Sequence, residues 1–296
     1  MKMGGPEIQS EMKRIVRLAL DEDRARFDVT SRLLFKGRRA VTADMVAKER
    51  GVVCGIAAAI IAFKTLDRSC AIQTYLNDGD AVSPGRKILR VEGDLSAILA
   101  AERSALNVLQ HLSGIATLTR RFADQVKGTR AAIYDTRKTA PGLRVLEKYA
   151  VLCGGGRNHR MHLQDGAMVK DNHLKALFES GTKADAEAAI SQLRSRLDKR
   201  IPLMIEADTS ADVALALAAG ADVIMLDNMT LSQIKKAVRQ IRSLSRSQPQ
   251  IQPLIEVTGG VSLANVRAIA RCGVDRISVG RITHSAPALD ISLDIK

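Results

Sequence analysis

From residue 131 onward, six short apolar runs each end in residues that can bind or move charge: "AAIYDTRK", "GAMVKDN", "PLMIEAD", "DVIMLDN", "PLIEVTGG" and "DRISVGR". Their ends carry Arg137 and Lys138, then Lys170 and Asp171, Glu206 and Asp208, Asp227, Thr258-Gly259-Gly260, and Ser278-Val279-Gly280. Cations beside carboxylates suit an anionic substrate. Glu206 and Asp227 could act as acid and base, or share a divalent ion with a phosphorylated substrate. Structural salt bridges to Lys138 and Lys170 are the alternative. The glycine-rich, hydroxyl-bearing ends "EVTGG" and "SVGRITHS" offer backbone N–H groups to a phosphate.

Between the first two runs, "KYAVLCGGGRNHR" sets three consecutive glycines before Arg157, Asn158, His159 and Arg160. Together with Arg137, Lys138 and Lys170 this cluster repels itself unless an anion joins it. Guanidinium groups bind carboxylates in bidentate fashion and histidine adds a donor, so a small polyanion with carboxylates at fixed geometry is the expected guest. The glycines read as a flexible mount that lets the Arg160 loop adjust when the guest arrives.

One architecture brings these groups to one place. Helix-length stretches such as "TSADVALALAAG", "TLSQIKKAVRQIRSL" and "SLANVRAIARCG" separate the later runs, which predicts a parallel sheet with helical crossovers. The runs are nearly all apolar, as expected of strands covered on both faces. A βα barrel closes such a sheet most economically, and its reactive groups gather at the C-terminal ends of the strands. The first third reads as α+β: a helix over "GPEIQSEMKRIVRLALDED", then strands over "VTADMVAKERGVVCG" and "CAIQTYLNDGDAVSPGRKILRVEGD" joined by Gly, Asp and Pro turns. "LSAILAAERSALNVLQHLSGIATLTRRFADQVK" is predicted helical with an interruption near Ser113-Gly114.

Composition narrows the function classes. The 296 residues are 46% hydrophobic and 26% charged, with a formal net charge of +13. A nucleic-acid binder is disfavoured, because aromatics are 3% and Trp is absent, leaving little for base stacking. The run "GVVCGIAAAIIAF" is too short to span a bilayer. "MKMGGPEIQSEMKR" lacks the apolar core of a signal peptide, and four dispersed cysteines read as free thiols, so a cytosolic protein is expected.

The motifs "AERSALNVLQHLSGIAT", "DTRKTAPGLRVLEKYAVLCGGGRNHR", "MVKDNH", "IEAD", "LDN" and "SVGRITHSAPALDISLDI" resemble, in this order, the quinolinate phosphoribosyltransferase family over nearly the whole chain. The resemblance implies an N-terminal α/β sandwich over residues 1–113, rejoined by 286–296, and an open, incomplete, seven-stranded TIM-like βα barrel over 114–285. It implies that quinolinate and phosphoribosyl pyrophosphate give nicotinate mononucleotide, pyrophosphate and CO2 in NAD biosynthesis. Arg103, Arg137, His159, Arg160 and Lys170 would hold the pyridine dicarboxylate, with Thr136 among the substrate contacts. Lys138 would lie near both substrates. Glu206 and Asp227 would meet the ribose hydroxyls and Mg2+, held largely through substrate and water. Thr258, Gly259 and Gly260 with Val279, Gly280 and Arg281 would take the 5′-phosphate, His284 standing close by. A homodimer is implied in which Arg103 completes the partner's site, with higher assembly left open.

Four positions depart from the family pattern, Val257 standing where alanine is usual. Thr258 stands where serine is usual, Arg281 follows the Val-Gly turn where a small residue is usual, and Phe27 replaces a glycine before "DVTS". Other readings are a relative acting on nicotinate, which needs fewer carboxylate partners, and a Schiff-base aldolase built on Lys170.

Overall fold

A computed structural model describes residues 5–179, 183–248 and 250–296. Residues 1–4, the start of the segment read as lacking a leader, lie outside the described residues. The chain forms two compact units. One comprises residues 1–121, 138–156 and 281–296, and the other 122–137 and 157–280.

The first unit begins with α1 (Pro6–Glu22), whose apolar Ile8, Met12, Val16 and Leu20 recur every fourth residue and are all buried. That spacing forms one stripe, which packs on α3 (Ile56–Leu66). The short α2 (Val29–Leu34) is capped by Asp28, whose carboxylate accepts the Thr30 and Ser31 N–H groups. A four-stranded sheet follows the order β12-β1-β5-β3, formed by β1 (Ala40–Ala47), β3 (Ala71–Thr74), β5 (Lys87–Asp94) and the C-terminal β12 (Ile291–Ile295), all antiparallel. A two-stranded ribbon joins β2 (Gly51–Val52) to β4 (Ala81–Val82).

The long helix α4 (Leu95–Val126) runs unbroken through Ser113-Gly114, where an interruption was expected. Those small residues serve close approach instead. A Cβ on Gly114 would overlap the Pro287 carbonyl, Ser113 Oγ accepts the Cys54 N–H at 2.9 Å, and Thr117 Oγ1 accepts that of Val52 at 2.8 Å. The expected 113/114 division therefore falls inside a helix. The chain returns to this unit for α5 (Arg144–Cys153) and α11 (Arg281–His284).

In the second unit six strands lie parallel in the order β6-β11-β10-β9-β8-β7. They are β6 (Ala132–Tyr134), β7 (Ala167–Val169), β8 (Leu203–Ala207), β9 (Val223–Asp227), β10 (Leu254–Thr258) and β11 (Arg276–Ser278), the six apolar runs of the sequence. Between them come α6 (Asp171–Glu179), α7 (Lys183–Arg196), α8 (Ser210–Ala218), α9 (Leu231–Ser247) and α10 (Val266–Ala270). Thr209 and Thr230 open α8 and α9 with reciprocal capping boxes to Asp212 and Gln233.

The barrel is open. Where seven strands were expected, six pair among the described residues, and a single parallel bridge between Tyr134 and Arg157 extends the β6 edge. Pairing stops there because the next backbone donor, His159 N–H, goes to the Asp135 side chain at 2.8 Å. Met168, Met204, Val223 and Met225 alternate onto the inner face and pack together. No helix of the described residues is long and apolar enough to cross a membrane.

Asp44, fully buried in β1, stands opposite Arg90 of β5 and receives its Nε at 2.7 Å and Lys87 Nζ at 2.8 Å. The Arg90 hydrogen bond, reinforced by Lys87, holds the carboxyl at about 2 against an unfolded value of 3.8. A depressed carboxyl stabilises the fold above its unfolded value and loses that contribution as pH falls through the folded one. Asp44→Asn is expected to lose about 2 kcal/mol at pH 7 in urea unfolding, the gap from wild type closing between pH 4 and pH 2.

Candidate active site

Parity along the strands decides which side chains share the inner wall of the second unit. The ladders align Glu206 with Met225, Met225 with Glu256, and Glu256 with Arg276. Two residues further on, Asp227 aligns with Thr258. Successive side chains alternate faces, so Glu206, Asp227, Glu256 and Thr258 all lie on the methionine face, Glu206 and Glu256 level with Met225, and Asp227 and Thr258 one step beyond it. Since β8 and β9 are hydrogen-bonded neighbours, Glu206 and Asp227 are diagonal neighbours on one wall rather than opposed across a pocket.

Lys170, directly after β7, reaches Glu206 Oε1 with Nζ at 3.3 Å, and its backbone N–H is tied to His173 Nδ1 at 3.0 Å. Glu206 is the more buried partner, its side chain 12% exposed against 46% for Lys170. Arg160 donates Nη1 to the Gly166 carbonyl at 2.9 Å and Nη2 to Met168 Sδ at 3.4 Å. Its guanidinium is held below the ordinary arginine value, first by burial and then by neighbouring Arg137, while Glu206 and Asp165 pull the other way. Arg137, Arg160, Lys170 and Glu206 are therefore one electrostatic group. Among the described residues, Arg137 Nε is buried with no hydrogen-bond partner.

His159 is nearly buried, with Nε2 3.4 Å from Glu256 Oε1, and its Nδ1 accepts the Arg160 N–H at 2.8 Å. Glu256, fully buried, takes a 2.6 Å hydrogen bond from Ser278 Oγ and lies 3.9 Å from Arg276. Sequence reasoning used "EVTGG" for its glycines and missed this carboxylate. Strand alternation was the available signal, because it puts Glu256 on the same face as Thr258.

After β10, Gly259 and Gly260 both take left-handed backbone, φ +76° and +59°. A Cβ on Gly259 would overlap Asn228 Oδ1 and approach Asp227 Oδ1 to 2.7 Å, whereas one on Gly260 would meet nothing within 4 Å. Asn228, itself left-handed at φ 50°, donates Nδ2 to Asp227 Oδ2 at 2.8 Å. After β11, Val279 N–H is bonded to the Tyr134 carbonyl at 2.9 Å, leading into Gly280. Thr136 and Arg137 follow β6.

Arg103, Lys138, Arg281 and His284 belong to the first unit, and all four are exposed. Arg103 rides on α4, Thr283 Oγ1 donates to the Lys138 carbonyl at 2.6 Å, and His284 Nδ1 pairs with Ser285 Oγ at 2.6 Å.

The glycine triplet, expected to be an adjustable mount, is a packed turn. A Cβ on Gly154 would stand 2.6 Å from Thr119 Cβ, and one on Gly156 2.7 Å from Thr119 Cγ2. Arg120 ties the turn to α4 by donating Nε to the Gly154 carbonyl at 2.9 Å.

Residues 115–294 match the model of the quinolinate phosphoribosyl transferase C-terminal domain, and residues 28–113 that of its N-terminal domain. The chain belongs to this family. It is similar to the nicotinate-nucleotide pyrophosphorylase [carboxylating] of Mycobacterium leprae, 40% identical over 288 residues that cover 95% of each chain. Among solved structures it resembles the nicotinate-nucleotide pyrophosphorylase of Ehrlichia chaffeensis, with a TM-score of 0.85, 38% identity, and coverage of 96% of this chain and 98% of that one. Likeness to human nicotinic acid phosphoribosyltransferase, with a TM-score of 0.62 at 14% identity over 96% of this chain and 73% of that one, extends to the fold alone.

The paired glycines after β10 allow an internal control. Gly260→Ala is expected to lose about 1–2 kcal/mol for its left-handed backbone, and Gly259→Ala about 1–3 kcal/mol more for crowding Asn228 and Asp227. Urea unfolding of the two variants measures the difference, and equal losses would show that the Gly259 contact is relaxed without cost.

Proposed function

We propose that this protein joins quinolinate to phosphoribosyl pyrophosphate, forming nicotinate mononucleotide, pyrophosphate and CO2 as a quinolinate phosphoribosyltransferase. The observation that carries this reading is the crowding of Arg137 against a partly buried Arg160, beside the Lys170–Glu206 pair. Arg160, charge-coupled to both Arg137 and Glu206, and Lys170, paired with Glu206, suit a guest with two negative charges. A monoacid such as nicotinate would leave part of that charge unmatched. Membership of the family supports the same substrates.

In this mechanism Arg137, Arg160 and Lys170 grip the two carboxylates and orient the pyridine nitrogen toward the ribose. Lys170 offers three donors, so its bond to Glu206 leaves others for the guest. Departure of pyrophosphate leaves positive charge on the sugar, which Glu206 and Asp227 stabilise from the neighbouring wall. Lys138, next in the chain to Arg137, neutralises the leaving group. Thr258, Gly259 and Gly260 with Val279, Gly280 and Arg281 hold the 5′-phosphate through backbone N–H groups, the Thr258 hydroxyl and the added cation, with His284 nearby. Alkylation makes the ring nitrogen a pyridinium, whose positive charge stabilises the adjacent in-plane carbanion left as the C–CO2 bond breaks, and a proton from solvent then forms the C–H bond of the product.

Among the described residues no three His, Cys, Asp or Glu side chains gather as a metal cage. Glu206 and Asp227 form the thin carboxylate set that suits Mg2+ shared with substrate phosphates and water. When bound, Mg2+ would neutralise charge on the pyrophosphate.

The dimer implied by the family likeness belongs to this proposal. Arg103 is exposed on α4, where a second copy can use it. A reducing, cytosolic setting accords with four free cysteines.

The decisive experiment supplies Mg2+, phosphoribosyl pyrophosphate and either quinolinate or nicotinate to the purified protein. Mononucleotide and CO2 are expected from quinolinate, and comparable turnover of nicotinate would overturn the substrate assignment. Lys170→Ala is expected to lower kcat/KM for quinolinate about 10- to 100-fold. An unchanged value would remove Lys170 from the grip.

A further inference from the structure

We infer that the parallel sheet carries a second binding site at the end where its strands begin, an arginine-lined cavity that takes a phosphate group carried on a small sugar. The site stands apart from the proposed reaction, because none of its lining residues follows the C-terminal end of a strand.

Three arginines reach this place by two routes. On α9, Val238, Arg242 and Arg246 recur every fourth residue and form one stripe. Val238 is buried, and both arginines line an open cavity of about 460 Å³. From the strands come Arg130, just before β6, and Gln252, just before β10. The five residues of β10 put about 13 Å of strand between this end and the Thr258 end.

The charges there do not balance. Asp275, just before β11, accepts Arg130 Nη2 on Oδ1 at 2.5 Å and Arg242 Nη2 on Oδ2 at 2.5 Å. Oδ2 also takes the Ile255 N–H at 2.8 Å. The Asp275 side chain is only 9% exposed, so its oxygens are engaged by these donors and turned from the cavity's solvent. Arg246 is exposed and has no hydrogen bond or ion pair among the described residues. Three guanidinium groups against one carboxylate leave two positive charges unmatched, and a phosphomonoester near neutral pH carries about two negative ones. Like charges one turn apart on a helix, as Arg242 and Arg246 are, cost stability that an anion between them restores.

The rest of the lining selects what carries the phosphate. Planar guanidinium donors meet phosphate oxygens in pairs. The volume is that of a small-molecule site, larger than one ion needs. Among the described residues no aromatic ring lines it, so nothing there stacks on a nucleobase. Ser245 Oγ donates to the Ile241 carbonyl at 3.0 Å and keeps its lone pairs for a sugar hydroxyl, while Gln252 offers an amide.

The test is calorimetric titration of the full-length protein with ribose 5-phosphate and with inorganic phosphate, at one ionic strength balanced by chloride. Wild type is compared with Arg246→Ser, the double variant Arg130→Ser/Arg246→Ser, and Asp275→Asn. Arg246 is unpaired and Arg130 is 56% exposed, so both serine variants are expected to keep the wild-type Tm. Arg246→Ser is expected to weaken ribose 5-phosphate binding in this cavity about tenfold. The double variant is expected to bind one equivalent fewer per chain than wild type, a difference that isolates this cavity from any phosphate held after β10 and β11. Asp275→Asn keeps an acceptor for the Ile255 N–H and releases Arg130 and Arg242, so binding is expected to tighten about threefold.

Wild type and double variant binding the same number of equivalents, none included, would overturn the site. So would weaker binding by a folded Asp275→Asn protein; if that variant does not fold, the double variant decides. Ribose 5-phosphate is expected to bind more tightly than inorganic phosphate, and equal affinities would overturn the sugar and leave a site for the free ion.

Discussion

Two guanidinium groups held close together at one end of a parallel sheet set the terms for everything around them. Arg137 and Arg160 repel, and partial burial strengthens that repulsion because little water screens it. The protein holds the pair together with neutral acceptors, the Gly166 carbonyl and Met168 sulfur, and with the Glu206 and Asp165 carboxylates nearby. Under the proposed function, a site prepared this way would take a dianion without first reorganising, so binding energy would go into orientation rather than assembly. The Lys170–Glu206 pair adds a half-exposed cation beside them.

Such crowding requires a rigid support, and strand alternation provides one. The inner face is apolar at its lower level, where Met168, Met204 and Val223 pack, and turns charged at the level of Met225, which Glu206 and Glu256 flank. A fully buried Glu256 would be costly alone. Ser278 and Arg276 stand beside it, so the carboxylate's demand for partners becomes a demand that those side chains keep their places.

Most of this frame could be read in the sequence because each strand declares itself as an apolar run with a polar end. The six runs became six strands, and Lys170, Glu206, Asp227 and Thr258 stand where the runs stop. What escaped were features set by pairs of residues distant along the chain. The helix through Ser113-Gly114 looked broken because small residues lower helix propensity, yet Pro287, Cys54 and Val52 require them there. Residues 138–156 belong with the first unit although they lie between two strands of the second, a consequence of topology that local pattern does not encode. Glu256 was hidden for a related reason. A carboxylate one step below a glycine turn looks like loop polarity until the register shows it level with Glu206 and turned inward.

Glycines expose the same limit from another side. Gly154 and Gly156 have φ in the ordinary range and are required because Thr119 lies where their side chains would go. Gly259 has both constraints at once, left-handed backbone and crowding by Asn228 and Asp227. Gly260 has only the backbone constraint, with open space beside it. In sequence the triplet read as a mobile mount and the pair as a phosphate cradle. Only the first reading changes: the triplet is tied to α4 through Arg120, while open space lies beside Gly260. Glycine content therefore locates where the backbone needs freedom from a Cβ, and only the neighbours tell whether that freedom is used for packing or for binding.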